Sequence, residues 1–115
     1  ILQMDFNLLE NYSFEFRLNL IHLFLNGNRI IYLNNFKNLI KLNMLDLSVN
    51  QLKFVNNNTF SDLENLITLN LMFNQIEKIE MGSFQSLNKL RFLFLQNNRL
   101  KLINSAILSL SLIHI

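Results

Sequence analysis

The chain has 115 residues, among them 26 Leu and 20 Asn, with ten basic and eight acidic side chains. Half of the residues are apolar and 16% are charged, which excludes a disordered chain, because such chains carry little apolar surface. A net charge of +2 leaves no electrostatic footprint for nucleic acid or an anionic membrane. The absence of Cys excludes a disulfide framework and a thiolate metal site. With no Pro and two Gly, a fold of tight turns or a Gly-rich phosphate loop is also excluded. No apolar run approaches the ~18 residues of a membrane-spanning helix. The sequence opens at Ile1 with neither Met nor a leader segment, and it reads as an excerpt of a longer chain.

The elements are copies of one unit. LIHLFLNGNRI from Leu20, LNMLDLSVNQL from Leu42, LITLNLMFNQI from Leu66 and LRFLFLQNNRL from Leu90 all obey LxxLxLxxNx[L/I], at intervals of 22, 24 and 24 residues. Internal periods of this length mark a solenoid, in which each unit buries its apolar face only against its neighbours. The downstream half repeats as well: Val55, Phe60 and Leu63 match Ile79, Phe84 and Leu87.

In chain order, residues 1–19 form a partial, degenerate copy. Ile1, Phe6, Leu9 and Phe14 hold apolar places there, Met4 stands for Asn and Arg17 for Leu. Full copies follow at 20–41, 42–65, 66–89 and 90–109. The 20–41 copy drops two residues between Leu33 and Phe36, in a loop on the outer side where insertions and deletions are tolerated. After Ile103 the pattern fades. Leu108 fills the Phe place, and Leu110, Ile113 and Ile115 open a further repeat at 110–115. All of 1–115 is thus one domain.

The alternation at Leu23 and Leu25, Leu45 and Leu47, Leu69 and Leu71, and Leu93 and Leu95 has the two-residue period of a half-buried strand. Such short strands stack only as a parallel sheet, whose Leu side chains enter a continuous core. Phe14, Phe36, Phe60 and Phe84 are expected to form a spine on the far side of that core. Asn28, Asn50, Asn74 and Asn98 follow the strands where the chain turns inward. A buried amide there both donates to and accepts from backbone groups of adjacent coils, a structural role.

The pattern LxxLxLxxNxLxxLxxxxFxxLxx resembles the 24-residue type of leucine-rich repeat, as in Toll-like receptors, small leucine-rich proteoglycans and neuronal adhesion receptors. The resemblance covers nearly the whole chain. It implies an α/β fold: a right-handed horseshoe with a short-stranded parallel sheet on the concave face and an irregular or short-helical convex side. It also implies a protein partner on the concave face. Extracellular members of that kind carry Cys-rich caps, which this sequence lacks, so the caps are expected outside the segment or the protein is intracellular.

The outward positions of the strands form rows across the copies. The first row is His22, Met44, Thr68 and Phe92, and the second is Phe24, Asp46, Asn70 and Phe94. The third is Asn26, Ser48, Met72 and Gln96, and the fourth is Gly27, Val49, Phe73 and Asn97. Phe92, Phe94, Met72 and Phe73 form one candidate binding patch, Phe24 with Met44 forms a second across Asp46 and Asn70, and all eight are candidate protein-binding residues. Exposed aromatics and Met are typical of interface anchors. The competing reading is that a chain with 11 Phe leaves some of them outside without a role.

Catalysis has no support. His22 and Asp46 are candidate neighbours, but no nucleophile is marked beside them, and His22 with His114 gives no metal-binding cluster. Neither an enzyme activity nor a cofactor is expected. The expected partner is a protein, with no nucleic acid, no small-molecule substrate, and contact with a membrane only through segments elsewhere in a longer chain. Lys53, Glu77 and Lys101 recur at one position of successive coils, which places Glu77 to pair with either Lys. Asn11 and Asn57 begin the glycosylation sequons Asn11-Tyr12-Ser13 and Asn57-Asn58-Thr59, both on the convex flank. In so Asn-rich a chain they add little to the case for secretion. The leading reading is a fragment of an extracellular or cell-surface receptor or adhesion protein. The alternative is a cytoplasmic scaffold or regulatory subunit built on the same coil.

Overall fold

A computed structural model describes residues 1–3, 19–33 and 36–101. The expectations for Met4, Phe6, Leu9, Asn11, Phe14, Arg17, Ile103, Leu108, Leu110, Ile113, His114 and Ile115 lie outside the described residues. Among the described residues, seven short strands occur: β1 (Leu2–Gln3), β2 (His22–Phe24), β3 (Met44–Asp46), β4 (Phe54–Val55), β5 (Thr68–Asn70), β6 (Lys78–Ile79) and β7 (Phe92–Phe94). Five of them form one parallel sheet in the order β1-β2-β3-β5-β7. In that sheet Leu23 pairs with Leu45, Leu45 with Leu69, and Leu69 with Leu93.

All four of these Leu are fully buried. They stand in single file because successive coils repeat the same alternation in the same register. A second file, Leu25, Leu47, Leu71 and Leu95, lies beside it and is equally internal. Opposite the sheet, Phe36, Phe60 and Phe84 stack with ring centroids 5.9 and 6.1 Å apart and interplanar angles of 6° and 19°. The offset between rings lies within the range that aromatic pairs prefer. The core is therefore a slab of Leu closed by a Phe column.

Of the two forms expected of it, irregular or short-helical, the convex side shows the irregular one and holds no helix among the described residues. Its apolar residues recur every three positions (Phe36, Leu39, Leu42; Phe60, Leu63, Leu66; Phe84, Leu87, Leu90). The backbone follows that spacing: the N–H of Leu39, Leu42, Leu63, Leu66, Leu87 and Leu90 each donates to the carbonyl three residues back. Three residues per turn eclipse side chains in one line, which suits a column of stacked coils, whereas an α-helix would rotate each successive residue away from it. A two-stranded parallel ribbon, β4 with β6, completes this side.

At the start of the chain Leu2 pairs with Leu23, 21 residues apart in the sequence; the places read for Met4 and the rest of the first copy lie outside the described residues.

Candidate concave recognition face

The face is held in shape by the turn that ends each strand. Gly27, Val49, Phe73 and Asn97 all have left-handed backbone, with φ of 69°, 55°, 54° and 61°. The turn aims the next side chain, the ladder Asn, into the core. It also keeps the N–H of the turn residue directed at the next coil: Gly27 donates to the Ser48 carbonyl at 3.1 Å, Val49 to Met72 at 3.0 Å and Phe73 to Gln96 at 3.1 Å. Glycine and asparagine tolerate this conformation. A β-branched Val or a bulky Phe does so at a cost of about 1–2 kcal/mol.

The Asn residues work as the repeat predicts. The amide nitrogen of Asn50 donates to the carbonyls of Leu47 and of Leu25 one coil earlier, both at 3.0 Å, and its Oδ1 accepts the N–H of Ile30 at 3.1 Å. Asn74 repeats the arrangement with Leu71, Leu47 and Leu52, and Asn98 with Leu95, Leu71 and Ile76. Asn28 donates to the Leu25 carbonyl at 2.9 Å. Asn50, Asn74 and Asn98 thus each satisfy buried peptide groups of two coils that no sheet ladder reaches.

On the face itself, Phe92 and Phe94 lie side by side on β7, ring centroids 6.4 Å apart and 8° from parallel. Phe92 is 37% exposed and Phe94 half-buried. They pair in register with Thr68 and Asn70. Met72 is half-buried, and Phe73 is 52% exposed on the neighbouring coil. Phe24 and Met44 are both half-buried and sit diagonally: the register pairs Met44 with His22 and Phe24 with Asp46.

Asp46 and Asn70 hold the turns. The N–H and hydroxyl of Ser48 donate to Asp46 Oδ1 at 2.9 and 2.6 Å. The N–H of Met72 donates to Asn70 Oδ1 at 3.0 Å. These are Asx turns, which fix the strand ends locally. The His22 ring tilts against Phe24 at 6.3 Å.

One residue of the fourth row stood outside both candidate patches, Val49, which is 53% exposed one coil from Phe73. Its signal was an apolar side chain immediately before a ladder Asn. Also unforeseen is a polar row on the edge, Asn19, Lys41, Asn65 and Lys89. In it the ammonium of Lys41 donates to Asn19 Oδ1 at 2.9 Å, and that of Lys89 to Asn65 Oδ1 at 2.6 Å. Alternating Asn with Lys keeps like charges off adjacent coils. The N–H of Glu77 donates to the Lys53 carbonyl at 2.9 Å.

Among the described residues, no cluster of three His, Cys, Asp or Glu is placed to hold a metal ion, and no helix is long and apolar enough to cross a membrane. What the arrangement offers chemically is a contact surface of stacked aromatic, thioether and aliphatic groups on a rigid sheet.

Comparison with solved structures gives the same architecture in proteins of very different origin. Toll, in the Toll–Spatzle complex from Drosophila, superposes with a TM-score of 0.74 at 31% identity, over 88% of this chain and 14% of that one. An internalin from Listeria monocytogenes superposes with a TM-score of 0.70 at 31% identity, over 84% of this chain and 27% of that one. The chain thus spans about a seventh of the first and about a quarter of the second. No curated protein matches it in sequence. The leucine-rich-repeat family model matches residues 40–100, more than half of the chain. With its Leu files, Asn ladder and stacked coils, the chain belongs to the leucine-rich-repeat family, whose solenoids are protein-interaction modules.

Proposed function

We propose that this chain is the recognition segment of an extracellular or cell-surface receptor or adhesion protein and that its concave face binds a protein partner. One observation carries the reading: the stacked pair Phe92 and Phe94 stands on the sheet with Met72 and Phe73 on the adjacent coil. Val49 and Phe73 are kept there in left-handed backbone, although Gly or Asn would relieve the strain. Strain retained at exposed apolar residues fits a surface selected for contact. The Toll structure, described as a complex with Spatzle, supports a protein as the class of partner.

The chemistry of the partner follows from the rows. His22 and Asp46 are the only titratable groups in the four rows, and Asp46 is already engaged by Ser48. The partner therefore presents an apolar, largely uncharged surface, and the affinity depends on desolvated area more than on long-range attraction.

The test is a panel of purified secreted proteins presented to the full-length protein. For any binder found, Phe92→Ser with Phe94→Ser is expected to abolish binding while thermal unfolding stays nearly unaltered, and Tyr32→Ser, an exposed change away from the sheet, is expected to leave binding intact. Binding that survives the double change and fails with Tyr32→Ser overturns the reading.

A further inference from the structure

The turn after β4 carries the sequon Asn57-Asn58-Thr59. Asn57 is exposed, on the turn that follows β4, and its own N–H is fixed by donating to Glu80 Oε2 at 2.9 Å. Two positions on, Thr59 is 1% exposed, and its hydroxyl donates to Asn56 Oδ1 at 3.0 Å. The same Asn56 oxygen also accepts the N–H of Asn58 at 2.9 Å. The acceptor of the Asn-x-Thr sequon is thus open to solvent while its recognition hydroxyl is enclosed by the fold.

We propose that Asn57 accepts an N-linked glycan in the secretory lumen and that the glycan is attached before this coil folds. The donor is a lipid-linked oligosaccharide diphosphate. The Asn57 amide nitrogen forms a bond to the sugar C1 as the bond from C1 to the diphosphate oxygen breaks. The lipid diphosphate leaves with the electron pair, and one amide proton is released. A transferase must read the Thr59 hydroxyl as well as Asn57, so the folded coil is not a substrate. Once Thr59 is enclosed, Asn57 still projects outward, and the sugar does not obstruct folding.

The position also gives the glycan something to cover. Met81 is the equivalent residue of the next coil, 24 positions on, and is 72% exposed, and Phe54 on β4 is 43% exposed. Adjacent coils lie only ~4.8 Å apart, so a sugar on Asn57 overlies this apolar strip. The convex flank is then hydrophilic and the concave face is left as the open apolar surface.

The proposal rests on the cell-surface reading only for whether the natural protein meets the transferase. The whole chain, placed behind a heterologous secretory leader and translated with microsomes, separates the two questions. Asn57→Gln and Thr59→Ala are each expected to remove one glycan-sized step in mobility that amidase treatment also removes, and Thr59→Ser to retain it. The sequon at Asn11 is silenced by Asn11→Gln in every arm, so a mobility pattern that Asn57→Gln leaves unchanged overturns the site. Full-length protein folded without the transferase is expected to stay unmodified when given enzyme and donor, and to be modified once denatured. Modification of the folded protein overturns the order of events. A glycan on the leader-directed chain and none on the protein from its own source supports the site and overturns the cell-surface reading.

Discussion

The ladder Asn does work that no other residue type can do at its position. Its amide donates to carbonyls of two coils and its Oδ1 accepts an N–H of the coil before, so replacing it leaves buried groups of both coils without partners. Asn50→Leu is expected to destabilise the protein by ~1–3 kcal/mol, read as a shift of the denaturant midpoint; an unchanged midpoint would show that water already satisfies those groups. Val49 is the opposite case. With φ of 55° and a side chain 53% exposed, it has strain and little packing to offset it. Val49→Asn is expected to raise stability by about 1 kcal/mol and, in a binding assay, to weaken partner affinity. A gain in stability with no loss of affinity would place Val49 outside the interface. The ladder was legible in the sequence because the same amide recurs at one place in four copies. The left-handed row was not, because Gly, Val, Phe and Asn share no chemistry, only a backbone angle that their neighbours impose.

Among elements, the strands were readable and the returning segments were not. The two-residue alternation of Leu marks β2, β3, β5 and β7 directly, and their pairing follows once the copies are aligned. The convex segments carry a three-residue spacing, FxxLxxL, which looks like an amphipathic turn of helix when a single copy is considered. Stacked, the same spacing builds eclipsed turns and a Phe column. The ribbon of β4 and β6 left no trace in the pattern because two-residue strands have no period. At this scale the Phe column and the concave Phe pair should behave differently. Phe60 is fully buried between two rings, and Phe60→Ala is expected to cost ~3–5 kcal/mol. Phe92→Ala, at a partly exposed position, is expected to cost far less in the same unfolding measurement. Equal losses would mean that Phe92 is part of the core and not of the surface.

Across the whole molecule, the coil separates its functions by side. Buried Leu and Asn set the shape, the concave rows carry apolar groups on a rigid frame, and the convex flank carries polar turns and the Asn57 sequon. The rows were legible from the repeat, but the local bonds of each residue were not: the oxygens of Asp46 and Asn70 also hold Ser48 and Met72. With so few charges in the rows, partner affinity is expected to change by less than about threefold between low and high salt, since screening acts on exposed charges. A steep salt dependence would move the contact to the Lys-bearing edge at Lys41 and Lys89.

The most direct test of the recognition account is amide hydrogen exchange of the full-length protein with and without its protein partner. The account predicts that the partner slows exchange in 68–73 and 92–97, with smaller effects in 22–27 and 44–49, and leaves 36–41, 56–63 and 81–88 unchanged. Protection confined to the convex segments, with the strand ends unaffected, would contradict it.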